Sequence, residues 1–177
     1  MDVFEIKKAL QSMEILVDTR ERDTAALRRR LSEMGFPYRR KKLNFGDYSA
    51  AFLLPNGETA DCSQNIAIER KMSIDELCNC YCRERPRFER EFGRAADCGA
   101  KLYLLVENGD WEHVYNGTYR SLMRPEALRA SILAWMARYD CQLIFCRPET
   151  SGRLIGDILY REVKESLERG EWDADHG

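Results

Sequence analysis

Between Lys101 and Glu107 the residues Leu102-Tyr-Leu-Leu-Val106 follow one another without a polar interruption, and Asn108-Gly109 breaks the run. A segment this short and this evenly apolar reads as a strand covered on both faces, because a strand wetted on one side alternates. Glu14-Ile-Leu-Val-Asp18 has the same character. Covering both faces of a sheet requires helices, so the chain is predicted to be α/β, a central mixed sheet flanked by helices. Helical patterns over Asp23–Met34, Ser73–Tyr81, Glu84–Ala96, Arg124–Tyr139 and Glu149–Arg169 supply that cover. Further strands are predicted at Phe36–Asn44, from Phe45 through Leu54, at Glu58–Ser63, Ile66–Lys71 and Cys141–Cys146, with Asp110–Thr118 as an aromatic connector. Asn56-Gly57 is the hairpin turn inside the meander.

The 177 residues suit one domain, taken as 1–170, followed by a polar tail over 171–177 that is expected to be disordered. No apolar run reaches the roughly 18 residues of a membrane span, and the start at Met1-Asp2-Val3-Phe4 lacks the features of a signal peptide. Seven cysteines are accordingly expected as reduced thiols inside the cell, and Cys78-x-Cys80-x-Cys82 as small buried side chains rather than zinc ligands. A net charge of −2 excludes a uniformly basic nucleic-acid binder, so any such role rests on local patches. Arg39-Arg40-Lys41-Lys42 and the arginines of 83–94 are the candidates.

The chemistry concentrates at Ile66-Ala-Ile-Glu-Arg-Lys71. Side chains two apart on a strand share a face, so Glu69 and Lys71 project together and Arg70 points the other way. A carboxylate and an ammonium at a strand end suit metal-assisted hydrolysis: the first holds a hard cation, the second orients water beside it. Ser73 then caps a helix, with Glu76 as its capping-box partner. An isolated E-x-K is ordinarily a surface pair; it gains weight here because Asp47, in the adjoining meander, and Asp18, at the end of the first strand, belong to elements that converge on one edge of the sheet.

Val17-Asp-Thr-Arg-Glu21, Phe45-Gly-Asp47-Tyr48 and Ile68-Glu-Arg-Lys71-x-x-x-Asp75, in this order, resemble the nuclease domain of the XPF/Hef structure-specific endonucleases, with their GD…ERKxxxD motif. The resemblance covers roughly Glu14 to Glu165. It implies a restriction-endonuclease-like fold and a Mg²⁺- or Mn²⁺-dependent hydrolysis of DNA phosphodiesters, at branched or single-strand/duplex junction DNA in repair or recombination. Asp47 and Glu69 would be metal ligands, with the Arg70 carbonyl as a third donor and Asp18 as a further metal or water ligand. Lys71 would position the attacking water, Arg20 contact phosphate, Glu21 support the arginines and Arg70 brace the site inward. Asp75 would hold the helix start and Lys71, while Arg39, Arg40, Lys41, Lys42 and Arg87 would contact DNA.

Relatives dimerise through late helices, which makes Arg124–Tyr139 and Glu149–Arg169 the expected homodimer or heterodimer surface. Nothing after Val163 is similar to the tandem helix-hairpin-helix module of relatives, so a separate DNA-binding partner protein is the expected substitute. The other functional class is a catalytically inactive scaffold or dimerisation module of the same fold. Retention of two acids and the lysine speaks against it.

Overall fold

The computed structural model describes residues 1–173. Its helices are α1 (Val3–Gln11), α2 (Ala25–Glu33), α3 (Ile74–Cys82), α4 (Arg85–Asp97), α5 (Trp111–Asn116), α6 (Pro125–Tyr139) and α7 (Pro148–Glu168). Its strands are β1 (Glu14–Asp18), β2 (Tyr38–Lys41), β3 (Tyr48–Leu53), β4 (Thr59–Asp61), β5 (Ile66–Lys71), β6 (Lys101–Glu107) and β7 (Gln142–Cys146). The strands form one mixed sheet in the order β2-β1-β3-β5-β6-β7, with β4 paired to β3. β1 and β2 run parallel, as do β5, β6 and β7; β3 lies between the two groups and is antiparallel to both.

Both faces of the sheet are covered, and the alternation along β5 and β6 divides the core in two. Ile66, Ile68 and Leu105 face α2 and α7, where Leu27, Leu31, Ile155 and Leu159 are buried. Ala67, Leu102, Leu104 and Val106 face α3, α4 and α6, around Leu77, Phe88, Phe92 and a fully buried Trp135. Trp135 stacks on Phe88 at 5.7 Å, so truncating it to alanine would cost about 3–5 kcal/mol. α7 lies so close to α2 that a Cβ on Gly156 would stand 2.2 Å from the Met34 carbonyl oxygen, and only glycine permits the approach.

Several boundaries differ from the sequence expectations for local reasons. The strand predicted over Phe36–Asn44 pairs only at Tyr38–Lys41, on the edge beyond β1. The connector 110–118 contains α5, because the Asp110 carboxylate accepts from His113 N at 2.7 Å and Gly117, with φ +68°, ends the turn. At α3, Ser73 accepts from Glu76 N, but the Glu76 carboxylate accepts from Met72 N at 2.7 Å rather than from Ser73 N, a capping box displaced by one residue. The predicted tail is ordered through Asp173: Trp172 packs edge-on against Phe52 and donates to Ser166 Oγ, and Asp173 pairs with the N-terminal ammonium. The rest of that stretch, 174–177, lies outside the described residues. The cysteines are all unpaired thiols, with Cys78 and Cys80 buried on α3 as expected and Cys82, at its C-terminal end, exposed instead. Among the described residues, no helix is long and apolar enough to cross a membrane.

Candidate active site

β5 delivers the first pair. Glu69 and Lys71 sit on the Ala67 side of the strand, at the mouth of the α3–α4 core. Lys71 Nζ donates to Glu69 Oε1 and lies over the Phe88 ring, 5.4 Å from its centroid. The other oxygen, Glu69 Oε2, is buried without a hydrogen-bond partner. A buried carboxylate oxygen left bare is costly unless a cation completes it.

Asp47 arrives from the turn Phe45-Gly46-Asp47. Gly46 has φ +72°, and a Cβ there would lie 2.7 Å from Ala67 Cβ, so the turn can press on β5 only as glycine. Asp47 N donates to the Ile68 carbonyl at 2.8 Å, and the Asp47 carbonyl accepts from Asp18 N at 2.8 Å. Its carboxylate oxygen Oδ2 accepts from Arg70 N at 2.8 Å, which sets it beside the residue next to Glu69. Burial, and next the Glu69 charge, push the Asp47 carboxyl well above the usual carboxylate range. Burial works to lower the Lys71 pKa, but Glu69 and the neighbouring charges outweigh it, and the ammonium is held protonated.

Glu91, on α4, is a third carboxylate at this corner, buried like Glu69, and no sequence motif points to it. Its Oε1 accepts from Gly46 N at 3.2 Å and stands 3.9 Å from Arg20 Nη2. Burial, then the charge of Glu69, raise its pKa also. Periodicity offered one clue: Glu91 lies three residues after Phe88, on the inward side of an arginine-rich helix. The cavity of about 280 Å³ is lined by Glu21, Asp47, Glu69, Glu76, Glu84 and Glu91 against Arg20, Arg70, Lys71 and Arg87. Because the Arg70 side chain leaves for the opposite core, six carboxylates face three cations here, Arg20, Lys71 and Arg87, and the site is short of positive charge.

Asp18, expected as a metal or water ligand, is one backbone hydrogen bond from Asp47, with its carboxylate turned to Arg20 and Leu43. Its side chain, 1% exposed, accepts Arg20 N at 2.6 Å and Arg20 Nε at 2.8 Å on Oδ1. On Oδ2 it accepts Arg20 Nη2 at 3.1 Å and Leu43 N at 2.8 Å. Burial would raise its pKa, but these hydrogen bonds more than offset that and hold it below the usual range. With every acceptor direction used, Asp18 orients Arg20, whose guanidinium then lines the cavity.

The remaining predicted residues divide. Glu21 lines the cavity, and its carboxylate accepts from Tyr48 Oη at 3.2 Å; Arg40 is held by the carbonyls of Thr19 and Glu21, not by the Glu21 carboxylate. Arg70 crosses to the opposite core and pairs with Glu107 at 3.1 Å, which stands 3.4 Å from Arg30 of α2. Asp75 does not reach Lys71: it accepts from Arg120 N at 2.8 Å and Ser121 N at 2.7 Å, so it holds the loop before α6. Arg39 is paired with Glu14 at 2.8 Å and Lys41 with Asp61, which commits half of the basic cluster to neighbours on the sheet. Lys42 is exposed, and Arg87 lines the cavity rim.

The donor set suits a hard divalent cation. Asp47 and Glu69 offer carboxylate oxygens at one corner, the unpartnered Glu69 Oε2 among them. Among the described residues no three His, Cys, Asp or Glu side chains form a closed metal cage. An open site of two carboxylates is what Mg²⁺ ordinarily uses when water and phosphate complete its shell.

Known proteins agree with this layout. The ERCC4 domain model matches residues 17–157, most of the chain. XPF from Aeropyrum pernix superposes with a TM-score of 0.60 at 22% identity, covering 84% of this chain and 61% of that one. The same protein in a complex with DNA superposes with a TM-score of 0.58 at 22% identity, covering 92% of this chain and 68% of that one. The chain thus spans about three-fifths to two-thirds of these solved chains, and no curated protein matches its sequence. The restriction-endonuclease-like sheet and the ordered GD…ERKxxxD residues meet in one assignment: the chain belongs to the ERCC4 domain family, the nuclease domain of XPF-type proteins.

Proposed function

We propose that this domain, spanning 1–170, is a Mg²⁺- or Mn²⁺-dependent DNA endonuclease that hydrolyses phosphodiesters. The single observation that carries the reading is the buried, unpartnered Glu69 Oε2 beside the Asp47 carboxylate, with the Lys71 ammonium on the other Glu69 oxygen. Asp47 and Glu69 would hold the cation, with the Arg70 carbonyl as a third oxygen donor. When bound, it supplies Lewis acidity that lowers the pKa of water and offsets phosphate charge.

Lys71, kept protonated by its carboxylate neighbours, donates hydrogen bonds to water or to a phosphate oxygen at this corner. Arg20 meets the phosphate from the other side, with its Nε and Nη2 fixed by Asp18. Arg87 at the rim engages the adjoining backbone. The Arg70 guanidinium holds the strand end in place through Glu107 and does not meet the substrate; only the Arg70 carbonyl faces the cation. The relative solved with DNA supports nucleic acid as the substrate class. Repair or recombination intermediates inside the cell are the setting, with pairing of two copies, or of a copy and a relative, through α6 and α7, and a separate DNA-binding protein as the further partner.

The test is a cleavage panel of single-stranded, duplex, flap and fork oligonucleotides with Mg²⁺ or Mn²⁺ at stated salt. Wild type nicks at least one substrate; Asp47→Asn reduces nicking to background yet binds the same DNA in EDTA within about twofold. Equal cutting by the variant defeats the assignment. A wild-type protein that binds DNA without ever cutting it favours the inactive scaffold.

A further inference from the structure

The loop from Gly117 to Arg124 is held in one shape but offers its tip to solvent. Asp75 accepts from two of its backbone N–H groups, Tyr119 Oη donates to the Met123 carbonyl at 2.8 Å, and Met123 N donates to Ser121 Oγ at 3.2 Å. At the apex Leu122 is 100% exposed. Single exposed leucines are ordinary; this one stands between two cations, Arg120, whose side chain is 92% exposed, and the exposed Arg124.

Beneath the loop, a groove runs along α3. Arg83 and Arg120 line it, and its one carboxylate, Asp75, accepts from the loop's own N–H groups and pairs with Arg120 at 3.5 Å, which leaves one positive charge in surplus. Arg83 has no ion-pair partner among the described residues. Asn79 lines both this groove and the catalytic cavity, so the two are neighbours across one helix. Asp75 and Asn79 are one turn apart, about 6 Å, which is one to two phosphate steps of a DNA strand. The cavity is short of positive charge and the groove has a surplus: a cation suits the first and a polyanion the second.

We propose that the groove between α3 and the 117–124 loop carries the DNA strand leaving the catalytic cavity, with Leu122 set against the open face of a base at a single-strand/duplex junction. Arg83, Arg120 and Arg124 meet the phosphates, and the apolar tip meets the base where stacking ends, as apolar wedges do at unstacked steps. This rests on the nuclease reading and adds to it where the substrate lies and why a junction is preferred.

The experiment is binding in EDTA by fluorescence anisotropy, over a salt series, to a forked oligonucleotide and to the matching blunt duplex. Arg83→Ser with Arg120→Ser should weaken fork binding about tenfold and flatten the slope of log K against log salt by about 1.4, two single-strand phosphate contacts. Leu122→Ser, at a site with no packing to lose, should cut the fork-to-blunt preference roughly fivefold and leave the slope unchanged. If both variants keep the wild-type slope and preference while wild type still nicks DNA, the groove assignment fails and the nuclease reading stands. If wild type neither binds the fork nor nicks any substrate, both fail.

Discussion

Asp18 ends β1 and Glu69 lies two residues before the end of β5; they are 1% and 4% exposed and differ in what they lack. Asp18 accepts four N–H groups and has nothing left to bind. Glu69 has one oxygen on Lys71 and one on nothing, in a corner that also crowds Asp47 and Glu91. Burial and sequence context are alike, so neither distinguishes a structural acid from a ligand. What distinguishes them is how many donors the fold has already supplied. A saturated carboxylate stabilises the protein; an unsaturated one costs the empty fold stability and, on the proposed function, is the one left for a cation.

The most severe test of this contrast exchanges the two roles. Glu69→Ala should abolish both nicking and the rise in melting temperature on adding Mn²⁺, whereas Asp18→Ala should keep the Mn²⁺-dependent rise. Asp18→Ala in turn strands the Leu43 N–H, a loss of about 2–3 kcal/mol that lowers the melting temperature by roughly 5–10 °C. A Mn²⁺ response lost in Asp18→Ala but kept in Glu69→Ala would overturn the contrast outright.

Protonation gives an intermediate effect. Asp47 and Glu91 hold protons more tightly folded than unfolded, and Asp18 less tightly. Without a divalent cation, acidification from about pH 4 downward therefore removes the Asp18 contribution, while raising the pH above that range charges Asp47 and Glu91 and costs stability. Mn²⁺ needs those groups charged, so its stabilisation should be larger at about pH 8 than at about pH 5. Thermal melts at the two pH values, with and without Mn²⁺, measure this directly, and equal shifts would show that the crowded acids are not the ligands.

Smaller effects sharpen the picture. Glu91→Gln keeps an oxygen for Gly46 N but removes a charge, and should weaken Mn²⁺ binding by no more than about tenfold, the range for groups behind the ligands. A loss as complete as that of Glu69→Ala in a Mn²⁺ titration would make Glu91 a ligand. Arg39→Ser breaks an exposed pair and should change stability by less than about 1 kcal/mol, with fork affinity within about twofold. A larger loss would return Arg39 to the DNA surface.

Much of this was legible before any coordinates. The apolar run of β6 announced a covered sheet, and period-two alternation put Glu69 and Lys71 on one face with Arg70 on the other. The strand-end position of Asp18 was also legible, but the pattern gives a position and not a partner. Its donors come from Arg20, two residues on, and from Leu43, 25 residues away beyond α2 and β2. The partners of Asp75 are hidden for the same reason, since the loop it holds is 45 residues downstream. Glu91 sits among arginines on α4, and packing of that helix against β6 and α6 turns it inward. Lys41 and Arg39 look like a basic patch in the sequence; the acids that occupy them, Asp61 and Glu14, come from other strands.

Asp47 grips β1 through its carbonyl and β5 through its amide, and does both with main-chain atoms. Its side chain adds one further bond, accepted from Arg70 N at 2.8 Å, which an amide oxygen can accept as well as a carboxylate. Changing one atom of that carboxylate would silence the chemistry while every seam of the sheet stayed closed, so a dormant descendant of this domain lies a single codon step from a working one and would inherit its shape intact.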